Sequence, residues 1–167
     1  MDNPVVVRAA EVARGEGIGT LRFNFRGVGA STGVHDRGEG EQADLRAAIA
    51  LLNRHLLSGH PRAILGYSFG AWIAALVAAG ECTVAALGLV APPIAMVEFP
   101  ALPDRKLDIL LAAGTRDTYC PAPAAQAMAD RTPGARAVIV DGADHFFFGK
   151  LFPLGEAIRG WARRWAA

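Results

Sequence analysis

Cysteine is scarce in this chain. Its 167 residues hold two, Cys82 and Cys120. Neither sits in a CxxC or metal-ligand spacing, which excludes a disulfide scaffold and a cysteine-based zinc site. Both read as free thiols in a reducing compartment, Cys82 as a small side chain buried beside an apolar strand. Long apolar runs are also lacking, and none reaches the about 20 residues of a membrane span. The opening MDNPVVVRAAEVARGEG lacks the basic region, apolar stretch and cleavage site of a signal peptide. A cytoplasmic protein with no membrane partner is expected. Charge of one sign is missing too: 17 Lys and Arg stand against 16 Asp and Glu, interspersed, for a net charge of +1. That argues against a nucleic-acid partner. No cluster of His, Cys and carboxylates has metal spacing, so no metal and no cofactor is expected.

What is present is apolar, with 52% hydrophobic and 20% charged residues. This suits one globular domain spanning residues 1–167 around a sizeable core. Residues 4–16 carry Val5, Val6, Ala9, Ala10 and Ala13 at helical spacing, with Asn3 as cap and Pro4 at the first helical position. Residues 18–25 alternate with period two and are rich in aromatic and β-branched side chains, which predicts a strand. RGVGASTGVHDRGEG is a long glycine-rich loop. Residues 41–57 form an amphipathic helix, ended by Ser58-Gly59-His60-Pro61. The alternation then repeats, with strands at 62–67, 83–91, 107–113 and 135–140 and helices at 69–79, 122–131 and 151–165. The strands are apolar on both faces. This predicts an α/β fold, a three-layer sandwich of about five parallel strands with helices on both faces.

In open α/β sheets, reactive groups collect at the carboxyl ends of strands. Ser68 follows strand 62–67, Asp117 follows strand 107–113, and His145 follows strand 135–140. A serine hydroxyl needs a base to take its proton, and the base needs a carboxylate to hold its tautomer. Taken singly, Ser68 reads as a helix cap, Asp117 as a turn residue and His145 as a loop histidine. Their joint placement points to nucleophile, acid and base. Gly66 and Gly70 flank Ser68 in GYSFG, the spacing of a nucleophile elbow, where strand and helix approach too closely for side chains. The Phe69 N–H then faces the substrate oxyanion at the start of a helix. Tyr67, Phe69, Trp72 and Phe146 are candidate pocket residues. Asp144 is expected to shape its turn and Asp141 to close its strand. His35, His55 and His60 read as solvated. RGVGASTG has neither the spacing of a dinucleotide fingerprint nor the lysine of a P-loop.

Taken jointly, LRFNFRGVGASTG, GYSFGA, LVAPP and GADHFF resemble the α/β-hydrolase superfamily. They are most similar to its compact, lidless bacterial members related to dienelactone hydrolase and small esterases. The resemblance spans essentially the whole chain. It implies a serine hydrolase of a small carboxylic ester, with Ser68 as nucleophile, Asp117 as acid, His145 as base and Phe69 as one oxyanion donor. Pro121 matches a family proline ending the acid loop. The departure is at the start. In the family, a segment like Met1-Asp2-Asn3 lies inside the chain, after a central strand and a turn that supplies the second oxyanion donor. Met1 is therefore expected to be an internal methionine of a longer parent. The alternative is a naturally reduced hydrolase. The absent strand would lie between 18–25 and 62–67. Either those strands close the gap, or an unpaired edge is left through which a homodimer forms. The competing functional reading is a catalytically silent interaction module.

Overall fold

The computed structural model describes residues 2–55, 60–80, 84–102 and 107–166. Helix α1 (Pro4–Gly15) opens as its sequence dictates: the Asn3 side chain accepts from the Val5 and Val6 N–H groups, at 3.0 and 3.3 Å. Helix α2 (Glu39–His55) follows the glycine-rich loop. Strand β1 (Ala63–Tyr67) leads directly through Ser68 into α3 (Phe69–Gly80). Then come β2 (Ala86–Val90), β3 (Asp108–Gly114), α4 (Ala122–Asp130), β4 (Ala135–Val140) and α5 (Leu151–Trp165). Cys82, Ser58 and Gly59 lie outside the described residues.

The sheet is parallel, in the order β1-β2-β3-β4. Register sets Tyr67 beside Val90 and Gly114 beside Val140, so the carboxyl ends of all strands share one edge. Side chains alternate between two cores. Ile64, Leu87, Leu89, Ile109 and Leu111 face α3, α2 and α4. Ala86, Val90, Leu110, Ala112 and Val140 face α1 and α5. This is the expected α/β sandwich with helices on both faces. Each fully buried Leu or Ile contributes about 1.5–3 kcal/mol. Helix α5 shows the sequence logic: Leu154, Ile158, Trp161 and Ala162 recur at helical spacing and are buried, and the Trp161 indole N–H reaches the Asp108 carbonyl at 3.1 Å. Helix α3 is apolar nearly all round and is correspondingly buried, with Ile73, Ala75 and Val77 inaccessible.

One predicted element differs. Residues 18–25 belong to no ladder, so among the described residues the sheet has four strands and not five. Period-two alternation reports a segment with one face packed on a core, and that much is present: Phe23 and Phe25, partly buried, pack against the α3-side core. A strand also needs a neighbour for its N–H and C=O groups, and no described strand takes that place. The gap between this segment and β1 is not closed. Among the described residues, β1 pairs only with β2.

Candidate active site

The site is assembled where three strands end. After Tyr67 the chain turns so sharply that Ser68 adopts φ +52°, in the left-handed region, at a cost of about 1–3 kcal/mol. Its backbone is held on both sides. The Ser68 N–H donates to the Val90 carbonyl at 2.9 Å, and its carbonyl accepts from the Ala71 N–H at 2.8 Å as α3 begins. Of the flanking glycines, Gly66 is sterically required, since a Cβ there would lie 2.2 Å from the Gly70 carbonyl oxygen. Gly70 departs from expectation. A Cβ there meets only the edge of the Phe25 ring at 3.8 Å, because it points away from β1.

Asp117 sits in the turn after β3. Its Oδ1 accepts from the Tyr119 and Cys120 N–H groups, each at 2.9 Å, which fixes the carboxylate among backbone donors. His145 sits in the turn after β4. Asp144 shapes that turn, as expected, by accepting from the Phe146 and Phe148 N–H groups. Phe147 anchors the turn, fully buried at φ +53°. The two loops press together: a Cβ at Gly114 would lie 2.1 Å from the Ala143 oxygen.

These placements bring the three residues into one chain of contacts. Ser68 Oγ lies 2.8 Å from His145 Nε2. His145 Nδ1 lies 3.0 and 3.1 Å from the two Asp117 oxygens. A carboxylate only accepts, which assigns the proton to Nδ1 and leaves Nε2 to accept from the serine hydroxyl. Asp117 and His145 are 4% and 8% exposed. Tyr67 underlies the histidine: its Oη donates to the His145 carbonyl at 3.1 Å. Burial, helped by the Asp117 and Asp144 charges, pushes the Tyr67 phenol up to about 12, so it stays a donor at any working pH. Burial and the Asp117 charge likewise push the Cys120 thiol up to about 12. Cys120 therefore stays a thiol and is no competing nucleophile.

A hollow of about 250 Å³ opens over Ser68 and His145, walled by Pro93, Met96, Tyr119 and Phe146. Of the expected pocket residues, Phe146 borders it. Tyr67, Phe69 and Trp72 do not. Tyr67 lies under His145, Phe69 packs on Phe25, and the Trp72 indole N–H points to the Glu98 carbonyl. A larger hollow of about 660 Å³, bordered by Ile94, Phe99, Ala124 and Met128, touches none of the three contact residues.

His35 is mostly exposed, as read from sequence, yet its Nδ1 lies 2.7 Å from the fully buried Glu41. Its ring meets that of Phe69 at 5.3 Å. His55 and His60 are exposed. Among the described residues, no group of three or more His, Cys, Asp or Glu is placed to hold a metal ion. No helix among them is long and apolar enough to cross a membrane.

No family model matches the chain. Solved structures and a curated relative do. An α/β serine hydrolase homologue from Coxiella burnetii is 37% identical, with a TM-score of 0.87, over 96% of this chain and 76% of that one. XC6422 from Xanthomonas campestris, a lidless α/β serine hydrolase, is 34% identical with a TM-score of 0.86, over 99% and 75%. The uncharacterized protein RP471 of Rickettsia prowazekii (strain Madrid E) is 31% identical over 95% of this chain and 70% of its own length. The chain belongs to the α/β serine hydrolase family.

In this α/β serine hydrolase, sequence reasoning missed the pocket walls Pro93, Met96 and Tyr119. One signal was available for Tyr119, which stands two residues past Asp117. The other two are set by how residues 92–97 fold over the site, where the Ala95 N–H donates to the Tyr119 carbonyl at 3.1 Å. Glu41 was also missed. A Glu near the start of a helix reads as a solvated cap, and here it is inaccessible.

Proposed function

We propose that this hydrolase cleaves a small carboxylic ester through an acyl-enzyme. The observation that carries the reading is the unbroken contact chain from Ser68 Oγ through His145 to Asp117, with the serine on a strained backbone at a strand end. Ser68 Oγ attacks the acyl carbon while His145 Nε2 takes its proton. The acyl carbon–oxygen bond then breaks, and Nε2 returns the proton to the departing alcohol oxygen. Water repeats the sequence and releases the acid. Asp117 holds the imidazole in its tautomer and stabilises the imidazolium. The Phe69 N–H, in the first turn of α3, has no acceptor within its helix and donates to the oxyanion.

The test is a fluorophosphonate probe together with Ser68→Ala. Stoichiometric labelling at Ser68 and a fall in ester turnover of about 10⁶-fold are expected. Undiminished cleavage by the variant would remove Ser68 from the mechanism. Among the described residues β1 pairs only with β2, and that open edge favours a second reading, in which the fold serves as an interaction or homodimerisation module. A folded, dimeric protein that takes up no probe would support that reading instead.

A further inference from the structure

The geometry points to an aromatic alcohol as the leaving group, its ring held between Tyr119 and Phe146. This inference rests on the hydrolase reading above and adds the class of ester. Its starting point is which side of Ser68 the hollow occupies. The carbonyl oxygen of a bound ester must face the Phe69 N–H, and Phe69 does not border the hollow. The departing oxygen must reach His145 Nε2, which hands it a proton. His145 does border the hollow, and two rings stand beside its imidazole there: Tyr119, with centroids 4.7 Å apart, and Phe146, at 5.5 Å, both edge-on. Whatever is bonded to the departing oxygen therefore lies against these rings.

The walls define what fits. Met96, Phe146 and Tyr119 are 63%, 64% and 39% exposed, large apolar surfaces gathered over one serine. None of the wall residues is an Asp, Glu, Lys or Arg. A charged alcohol finds no ionic partner there. At about 250 Å³ the space is smaller than the roughly 300–1,000 Å³ of drug-sized sites, which suits one ring and its linker. Aromatic faces and a methionine thioether favour a flat, polarisable ring through edge-to-face and sulfur contacts. The walls are also held in place. The Ala95 N–H ties one loop to the Tyr119 carbonyl, the Met96 N–H donates to the Pro93 carbonyl at 2.9 Å, and Asp144 holds the Phe146 N–H at 3.0 Å.

The step balances without any further reactant. A Ser68 Oγ–acyl bond forms, the acyl–oxygen bond to the alcohol breaks, and the serine proton leaves with that alcohol. Benzyl acetate and ethyl acetate share one acetyl-enzyme and release alcohols of similar acidity, so the ratio of their kcat/KM values isolates leaving-group recognition. The ratio is expected to favour benzyl by at least about tenfold. Cyclohexylmethyl acetate, equal in bulk but saturated, is expected to fall clearly below benzyl. Phe146→Leu and Tyr119→Leu, which keep apolar bulk, should each bring the benzyl-to-ethyl ratio down to within about threefold. Phe152→Ala, exposed and away from the hollow, should keep the wild-type ratio. A wild-type ratio near one in protein whose Ser68 labels fully overturns the inference and leaves the hydrolase reading standing. So does equal cleavage of the cyclohexylmethyl ester, or a ratio that both leucine variants leave unchanged. Absence of cleavage and of labelling in folded protein overturns both.

Discussion

At the residue scale, His145 is positioned from two sides. Asp117 holds its ring, and Tyr67 holds its backbone through the 3.1 Å bond to its carbonyl. With the phenol pushed up to about 12 by burial and two nearby carboxylates, this donor persists through the neutral and mildly alkaline range. Tyr67→Phe keeps the ring and removes only the donor. It leaves the His145 carbonyl short of a partner, a change of about 1–3 kcal/mol. The expected outcome is a several-fold fall in kcat with KM little changed, since Tyr67 does not border the hollow. A change confined to KM would show that Tyr67 contacts substrate and does not position the histidine. The three contact residues were legible in the sequence because each stands just past an apolar strand, a local pattern. Among the walls of the hollow Phe146 was legible too, whereas Met96 and Tyr119 were not, because the segments that carry them are joined by a long-range loop contact from the Ala95 N–H to the Tyr119 carbonyl. Glu41 was not legible because burial of a helix-start carboxylate depends on how the loop before it folds back. That loop supplies the Asp36 and Gly38 N–H donors.

At the element scale, the unit that matters is β1–Ser68–α3. Its turn angle sets where Oγ projects, and the closeness of strand and helix sets the angle. The two glycines of GYSFG share one motif but not one role. Gly66→Ala drives a methyl into the α3 backbone at Gly70, where neither element can yield without moving Ser68. Gly70→Ala places a methyl at ordinary contact distance from Phe25, at a position that is helical and gains about 0.5–1 kcal/mol from alanine. Gly66→Ala is therefore expected to abolish Ser68 labelling or folding, and Gly70→Ala to label at the wild-type rate with a raised Tm. Loss of labelling in both would mean that the second glycine is needed for something other than space. The same scale explains residues 18–25. Their alternation announces the Phe23 and Phe25 side chains packed on the core, but ladder pairing is a property of two strands, and one segment's pattern carries no information about its neighbour.

At the scale of the whole molecule, the depressed carboxylates all make acid act in one direction. The carboxylates of Glu16, Asp44 and Glu41 are all held below their ordinary values. For Glu16 and Asp44 the largest cause is an arginine hydrogen bond, from Arg163 and Arg26 respectively. Glu41 is different: burial is the largest influence and pushes it up. The N–H groups of Asp36, Gly38 and Glu41 itself, with His35, together outweigh that push. A carboxylate depressed in the folded state binds fewer protons there than in the unfolded chain. Its contribution is therefore complete above the ordinary value, 4.5 for Glu41, and is lost as pH falls through the folded value. Stability is expected to be flat from neutral pH to about 5 and to fall steeply below it. Salt divides the contributors. The exposed Arg163–Glu16 pair is screened at about 0.5 M, whereas Glu41, inaccessible and bonded to backbone, is not. Urea midpoints at pH 7 and pH 4, in low and high salt, separate the two. High salt should remove part of the acid loss. Glu41→Gln should remove a further part that salt leaves, while lowering the midpoint at pH 7 because an amide oxygen replaces two acceptors with one. An acid slope in high salt that is the same for Glu41→Gln and wild type would show that Glu41 does not link the loop before α2 to the stability of the fold.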